Sequence, residues 1–190
     1  MKPNRTAALA LSLLVLGGCR SPENAPPPAV PAEPASLDAP AAPHVVASSD
    51  VEAGRYLVIV GGCNDCHTAG YLQTEGNVPE SEWLTGSPLG WRGPWGTTYP
   101  ANLRLTAQTL TEDAFVTVLH TRKALPPMPW MNTAVMSEAD ARAIHRYLRA
   151  LGPKGEAMPT PVPPDQEPQT PYIDLNPKNL HLLPAPAPQS

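Results

Sequence analysis

The segment GGCNDCHTAG, residues 61–70, places two thiols three positions apart and an imidazole directly after the second one. A cysteine pair at this spacing is typical of three kinds of site: a zinc site, a thiol–disulfide exchange site, and a site of covalent haem attachment. Each of these places a different demand on the rest of the chain. Other residues therefore decide which chemistry Cys63, Cys66 and His67 perform.

The rest of the chain favours haem. A structural zinc site needs a second pair of ligands, but apart from Cys19 the sequence has no further cysteine, and it has no closely spaced histidines. A thioredoxin-like pair belongs to a pattern of strands and helices that is not apparent here. In c-type haem attachment each thiol adds across one vinyl group of a single porphyrin, and the adjacent histidine becomes the proximal iron ligand. We therefore expect one covalent haem c at Cys63, Cys66 and His67.

The opposite face of the iron needs a ligand of its own. The candidates are Met128, Met131, Met136, Met158, His120 and His145. Met136 directly precedes a predicted helix cap, where an apolar residue packs on the first turn. The two histidines fall off the apolar stripes of their predicted helices, so we expect both to be exposed. Met158 lies in a proline-rich tail.

The segment LPPMPWMNT holds the remaining two methionines. Pro126, Pro127 and Pro129 fix their own backbone angles and exclude a helix around Met128. A thioether on such a stiff, extended loop loses little entropy when it binds iron. Met128 is therefore the predicted sixth ligand, with Met131 as the alternative.

Three helices have clear signals. The stretch from Ser49 to Glu52 matches a capping box and precedes VEAGRYLVIVGG, which has apolar residues at helical spacing. TEDAFVTVLHTRK has acids in its first turn and bases in its last, which suits the helix dipole. SEADARAIHRYLRALGP begins at a serine cap and ends at Gly152-Pro153. Residues 68–110 show no sustained period and no convincing strand, so the predicted fold class is all-α, with three or more short helices and a long loop.

Composition divides the chain into four parts. Most of the 27 prolines among the 190 residues lie in 19–49 and 153–190, and such segments do not bury enough apolar surface to fold alone. We expect a signal peptide at 1–18, a Pro/Ala-rich linker at 19–49, a folded domain at 50–152 and a Pro-rich tail at 153–190. The net charge of −4 provides no basic patch, so nucleic acid is not an expected partner.

The N-terminus predicts export. Two cationic residues precede an apolar run, Ala7 to Leu16, that is too short to span a membrane. The run ends in Leu-Gly-Gly-Cys, which resembles the bacterial lipobox and implies lipidation of Cys19. A plain signal peptide is the alternative. Several acyl chains would anchor the protein stably, on the periplasmic side of a bacterial membrane. Arg20, in place of aspartate, favours the outer membrane.

Residues 50–152 resemble a class I c-type cytochrome, as single-haem bacterial cytochromes carry a similar GPWGTTYPANLR stretch and a Pro-Pro-Met-Pro-Trp segment before a closing helix. The resemblance implies a small cytochrome c fold, a Met128–iron bond, packing of Tyr99 to Leu103 on the haem, and a tail like the extensions of some relatives, along the domain surface. Expected haem walls are Leu57, Leu103, Leu105, Phe115, Leu119, Trp130, Tyr147 and Leu148. Arg92, Arg104 or a tryptophan N–H is expected to pair with the propionates, and Trp83, Trp91 and Trp95 to pack the long loop.

Two occupied axial positions leave iron no open site for substrate, so we expect a one-electron carrier and not an enzyme. Its partners would be periplasmic or membrane-bound redox proteins, met through small interfaces, and the chain could be the cytochrome subunit of a dehydrogenase or oxidase. Arg122 and Lys123 would contact an acidic partner or form an ordinary solvated helix end. Alternative functions are a haem-based gas or redox sensor, a weak peroxidase with a labile sixth ligand, and a tethered scaffold in which the haem is only structural.

Overall fold

The computed structural model describes residues 44–184. The predicted signal peptide, the lipidation site Cys19, the linker up to residue 43 and the last six residues of the tail lie outside this range. Within 44–184 there is no helix with the length and apolarity needed to cross a membrane.

Six α-helices form most of the regular structure. They are α1 (Asp50–Val60), α2 (Cys63–His67), α3 (Leu103–Thr109), α4 (Glu112–Thr121), α5 (Trp130–Ala134) and α6 (Glu138–Leu151), with short 3₁₀ turns at Glu80–Glu82 and Leu180–Leu182. The side chains of Ser49, Thr111 and Ser137 each accept a hydrogen bond from a backbone N–H of the first helical turn, which confirms the three predicted starts. Helix α3 was not predicted, and its cap is Asn102.

A small three-stranded sheet accompanies the helices, so the expectation of no strands is wrong. Strands β1 (Gly90–Gly93) and β2 (Gly96–Thr98) form an antiparallel hairpin, and β3 (Tyr172–Asp174) pairs in parallel with β1. Strands of three or four residues are too short to show the two-residue alternation that identifies a strand in a sequence. The fold is therefore mainly helical with a small sheet, and the predicted long loop contains the hairpin and α3.

Helices α1 and α6 cross at very short range. A Cβ atom at Gly54 would lie 2.0 Å from the carbonyl oxygen of Ala143 and 2.8 Å from Cβ of Tyr147, so only glycine permits this approach. The core around the crossing consists of Val58, Trp83, Leu84, Ala107, Phe115, Ile144, Tyr147 and Leu148. Five other residues expected in the haem walls are only partly buried. Of these, Leu57, Leu103 and Leu119 pack against this core, whereas Leu105 and Trp130 are not part of it.

The side chain of Arg104 links two separate parts of the backbone to α3. It is 5% exposed, and its guanidinium donates hydrogen bonds to the backbone carbonyls of Ser81 (2.9 Å), Gly152 (2.6 Å) and Leu151. The side-chain amide of Asn102 adds bonds to two carbonyls that follow α6, those of Lys154 and Glu156. These bonds hold the start of α3 against the end of α6.

Gly54→Ala is expected to destabilise the protein by about 1–3 kcal/mol, because the added methyl group would overlap a backbone carbonyl that cannot move away. Alanine is the better helix former by about 0.5–1 kcal/mol, so a stabilising effect is expected if the close approach is absent. The midpoint of urea unfolding measures the difference. An unchanged or higher midpoint for the variant would contradict the packing described here.

Candidate functional site

The cysteine motif forms a one-turn helix, α2, that follows α1 after a two-glycine turn. Gly62 has φ +66°, a left-handed conformation that glycine adopts without strain. Cys63 packs against the core, and both cysteines are partly buried and not joined in a disulfide. The structure therefore brings Cys63, Cys66 and His67 together on a single turn beside the helical core.

His67 is fixed by its own ring nitrogen. Its Nδ1 lies 2.7 Å from the carbonyl oxygen of Ala101, so Nδ1 carries the proton and donates it. In that tautomer Nε2 keeps its lone pair. A neutral imidazole with a free lone pair is the form of histidine that binds a metal. Burial lowers the pKa of His67; the hydrogen bond to Ala101 partly offsets this and the charge of Arg122 lowers the pKa further. Because the net pKa is below its usual value, the ring is neutral near pH 7.

The two thiols are held in the protonated state. Burial raises the pKa of Cys63 to about 11 and also raises the pKa of Cys66, and the carboxylate of Asp65 adds to both effects. A disulfide exchange site requires a thiolate with a lowered pKa. The environment of this pair therefore disfavours thioredoxin-like chemistry.

The described residues give no support for a zinc site at the motif. Within residues 44–184 no group of three or more His, Cys, Asp or Glu side chains is arranged to hold a metal ion. A structural zinc site would require four such ligands.

Two buried hydrogen bonds join the motif to Leu84. We call the set of Asn64, Thr68 and the backbone of Leu84 the relay. Asn64, 1% exposed, accepts a hydrogen bond at its Oδ1 from the hydroxyl of Thr68 (2.7 Å), and that hydroxyl accepts one from the backbone N–H of Leu84 (2.8 Å). The carbonyl of Leu84 accepts from the N–H groups of Leu103 and Arg104. The relay thus links α2 to the start of α3, next to the carbonyl that orients His67.

Neither polar member of this relay was expected from the sequence. Asn64 occupies a variable position of the motif, and Thr68 directly follows it, so neither stands out as functional by type or spacing. A polar pair at i and i+4 around a helix of five residues is the only signal that the sequence offers. Their partner is the backbone N–H of Leu84, sixteen residues from Thr68, and a contact at that separation is not visible in the sequence.

The segment with the predicted sixth ligand lies between α4 and α5. Met128 is half-buried, whereas Met131, on α5, is 55% exposed. The Pro126–Pro127 peptide bond is cis. Arg122, six residues before Met128, is near enough to His67 to shift its pKa. The charge at the end of α4 therefore acts on the imidazole of the motif.

The other candidate ligands have structural partners. Met136 packs against the core, as predicted. The side chain of Met158 occupies the space in which a Cβ atom of Gly86 would lie. The expected exposure of the two histidines is wrong. His145 is buried against Phe115 with its Nε2 3.1 Å from the carbonyl of Leu110, and His120 is half-buried with its Nε2 2.9 Å from the carbonyl of Met136.

Of the expected propionate partners, a tryptophan is the one with an available donor. Arg104 is engaged by three backbone carbonyls, and Arg92 by Thr97 and the tail. The Nε1–H of Trp83 donates to the carbonyl of Val78. Trp95 Nε1, in contrast, is buried and has no hydrogen-bond partner among the described residues. The side-chain amide nitrogen of Asn64 is the other buried donor without a partner among the described residues, and a buried unpaired N–H costs about 1–3 kcal/mol.

Compared with known protein families, with curated proteins and with solved structures, the chain has no match.

Thr68→Val is expected to lower the free energy of unfolding by about 1–3 kcal/mol, because it leaves the buried N–H of Leu84 and the amide of Asn64 without the hydroxyl that joins them. Thr68→Ser should recover most of the loss. Thr117→Val is the matched control, since the hydroxyl of Thr117 is exposed and bonds within its own helix. Equal unfolding midpoints for Thr68→Val and Thr117→Val would disprove the relay.

Proposed function

We propose that this protein is a one-electron carrier with a single covalently attached haem c. The observation that carries the proposal is the C-x-x-C-H turn in which the backbone holds one nitrogen of His67 and leaves the other as a ligand. Cys63 and Cys66 would hold the porphyrin as thioethers, with His67 and Met128 as the axial ligands. When bound, the group would accept and release one electron at the iron.

The residues of the chain fit this role. A thiol that is to form a thioether has no need of a low pKa at rest, and protonated, unpaired Cys63 and Cys66 are in the state that addition to a vinyl group consumes. Trp95 has a buried N–H without a partner among the described residues, and in this proposal that N–H would pair with a haem propionate. Partial burial of Met128 and exposure of Met131 support Met128 as the sixth ligand. We assign the chain to the small class I c-type cytochromes on this basis.

The setting that we propose follows from the N-terminal sequence. Covalent haem attachment takes place outside the bacterial cytoplasm, and the predicted signal peptide with a lipidated Cys19 would export and tether the protein. A carrier on the periplasmic side of a membrane would exchange electrons with periplasmic or membrane-bound redox proteins, through the weak, small interfaces typical of such encounters. It is not expected to transform a substrate of its own.

The carrier and the sensor differ in how they respond to carbon monoxide. Protein expressed with its signal peptide in a bacterium that attaches haem c should be red and should show a low-spin spectrum when reduced. Because Met128 would fill the sixth position, carbon monoxide should leave that spectrum unchanged. Rapid carbon monoxide binding by the wild-type protein would refute the carrier and support a gas sensor or weak peroxidase.

Met128→Ala should remove the weak far-red absorption band of a sulfur–iron bond, open the iron to carbon monoxide and lower the reduction potential, because a thioether ligand raises it. Met131→Ala is the matched control and should keep the band. If the band survives in Met128→Ala and disappears in Met131→Ala, the assignment of the ligand is wrong.

A further inference from the structure

The proline-rich tail lies along the sheet and is bonded to it over much of its length. Thr97 and Val162 exchange two backbone hydrogen bonds, of 2.7 and 2.9 Å, across the outer edge of β2. Ten residues later the tail forms β3 beside β1, flanked by bonds from Gly90 N–H to the carbonyl of Pro171 and from Leu175 N–H to the carbonyl of Arg92. The segment 162–175 therefore holds the hairpin from both edges.

The side chain of Arg92 joins the two passes of this segment. Its guanidinium donates to the carbonyl of Gln166 (2.9 Å) and, at 3.4 Å, to the carbonyl of Pro164, and it also bonds the hydroxyl of Thr97 (3.1 Å). The carboxylate of Glu167 lies 3.4 Å away and the ring of Tyr172 lies against the guanidinium. The side chain of Arg92 is 16% exposed whereas that of Glu167 is 64% exposed, so the guanidinium is largely buried and contacts the tail at its solvent side. Its several donors hold the tail in one position through charge-assisted bonds.

The hairpin in turn holds the segment that contains Met128. The hydroxyl of Thr98, the last residue of β2, donates a 2.7 Å hydrogen bond to the carbonyl of Pro126, and the carbonyl of Trp91 lies farther from it, at 3.4 Å. Prolines at 126, 127 and 129 have no N–H to donate. The other hydrogen bonds of residues 123–129 among the described residues run to the adjoining helix α5, from the N–H of Trp130 to the carbonyl of Met128 and from the N–H of Asn132 to the carbonyl of Pro129. The Thr98 bond is the one that reaches an element distant in sequence. This bond thus couples the hairpin to the segment that contains Met128.

We infer that the tail segment 162–175 acts as a strap that holds the Met128 segment in place through the hairpin, with Arg92 and Thr98 as the positioning residues. The order of contacts is continuous: tail carbonyls to Arg92, Arg92 to Thr97 on β2, and the adjacent Thr98 to the carbonyl of Pro126. The inference rests on the proposed function in one respect, that the segment carries an iron ligand. The mechanical coupling itself does not depend on the cofactor.

Hydrogen exchange of the full-length protein tests the coupling without reference to haem. The amides to follow are those of Trp130 and Asn132, which bond to carbonyls of the Met128 segment, and those of Val162 and Leu175 in the tail. Thr98→Val should speed exchange at 130 and 132 about five- to tenfold, as expected for the loss of one hydrogen bond. Arg92→Gln should speed exchange in the tail and also at 130 and 132, whereas Thr117→Val, the control, should change neither.

A spectroscopic signature shows whether the strap acts on the ligand. In haem-containing protein, Thr98→Val and Arg92→Gln should both increase the rate of carbon monoxide binding to the reduced iron, while Thr98→Ser should restore the wild-type rate. If Arg92→Gln does not fold, Arg92→Lys takes its place, because lysine cannot reach both tail carbonyls with one planar group.

The outcomes separate the two claims. Colourless protein in which Arg92→Gln still speeds exchange at 130 and 132 would refute the haem assignment and support the strap. Arg92 variants that loosen only the tail, with 130 and 132 as protected as in the control, would overturn the strap. A Thr98→Val protein with unchanged exchange would overturn it as well.

Discussion

The hydrogen bond from His67 Nδ1 to the carbonyl of Ala101 is the interaction on which the account depends. A neutral imidazole has one donor and one acceptor nitrogen, so a donor committed to the backbone fixes which nitrogen remains for a ligand. At 2.7 Å this bond also sets the ring plane relative to the strand-to-helix turn at 101–103. Much of the surrounding structure keeps the carbonyl of Ala101 within hydrogen-bonding distance of the ring of His67.

Several contacts between residues distant in sequence hold Ala101 and His67 in this arrangement. The Asn64–Thr68–Leu84 relay connects α2 with the start of α3, and Arg104 connects α3 with the end of α6. The close crossing at Gly54 holds α1, and hence the turn into α2, against α6. The motif itself is one short turn. The segments that hold it in place are far apart in sequence and are joined by hydrogen bonds around a small apolar core.

The sequence predicted the parts of this structure that local rules determine. The caps Ser49, Thr111 and Ser137 and the stop at Gly152 follow from short-range hydrogen bonding and backbone freedom, which are legible in a few residues. Placement of the two cysteines and His67 on one turn follows from their spacing alone. Partners that are distant in the sequence were not predictable in this way. The strand β3 and the burial of His145 against Leu110 and Phe115 both depend on such partners.

The central claim is tested most directly by the mass of one peptide. Trypsin cuts after Arg55 and Arg92, and residues 56–92 contain both motif cysteines and no other Lys or Arg. From protein exported by a bacterium that attaches haem c, the account predicts that this peptide carries one haem and takes up no alkylating reagent. Recovery of the same peptide without haem, with Cys63 and Cys66 both alkylated, would contradict it.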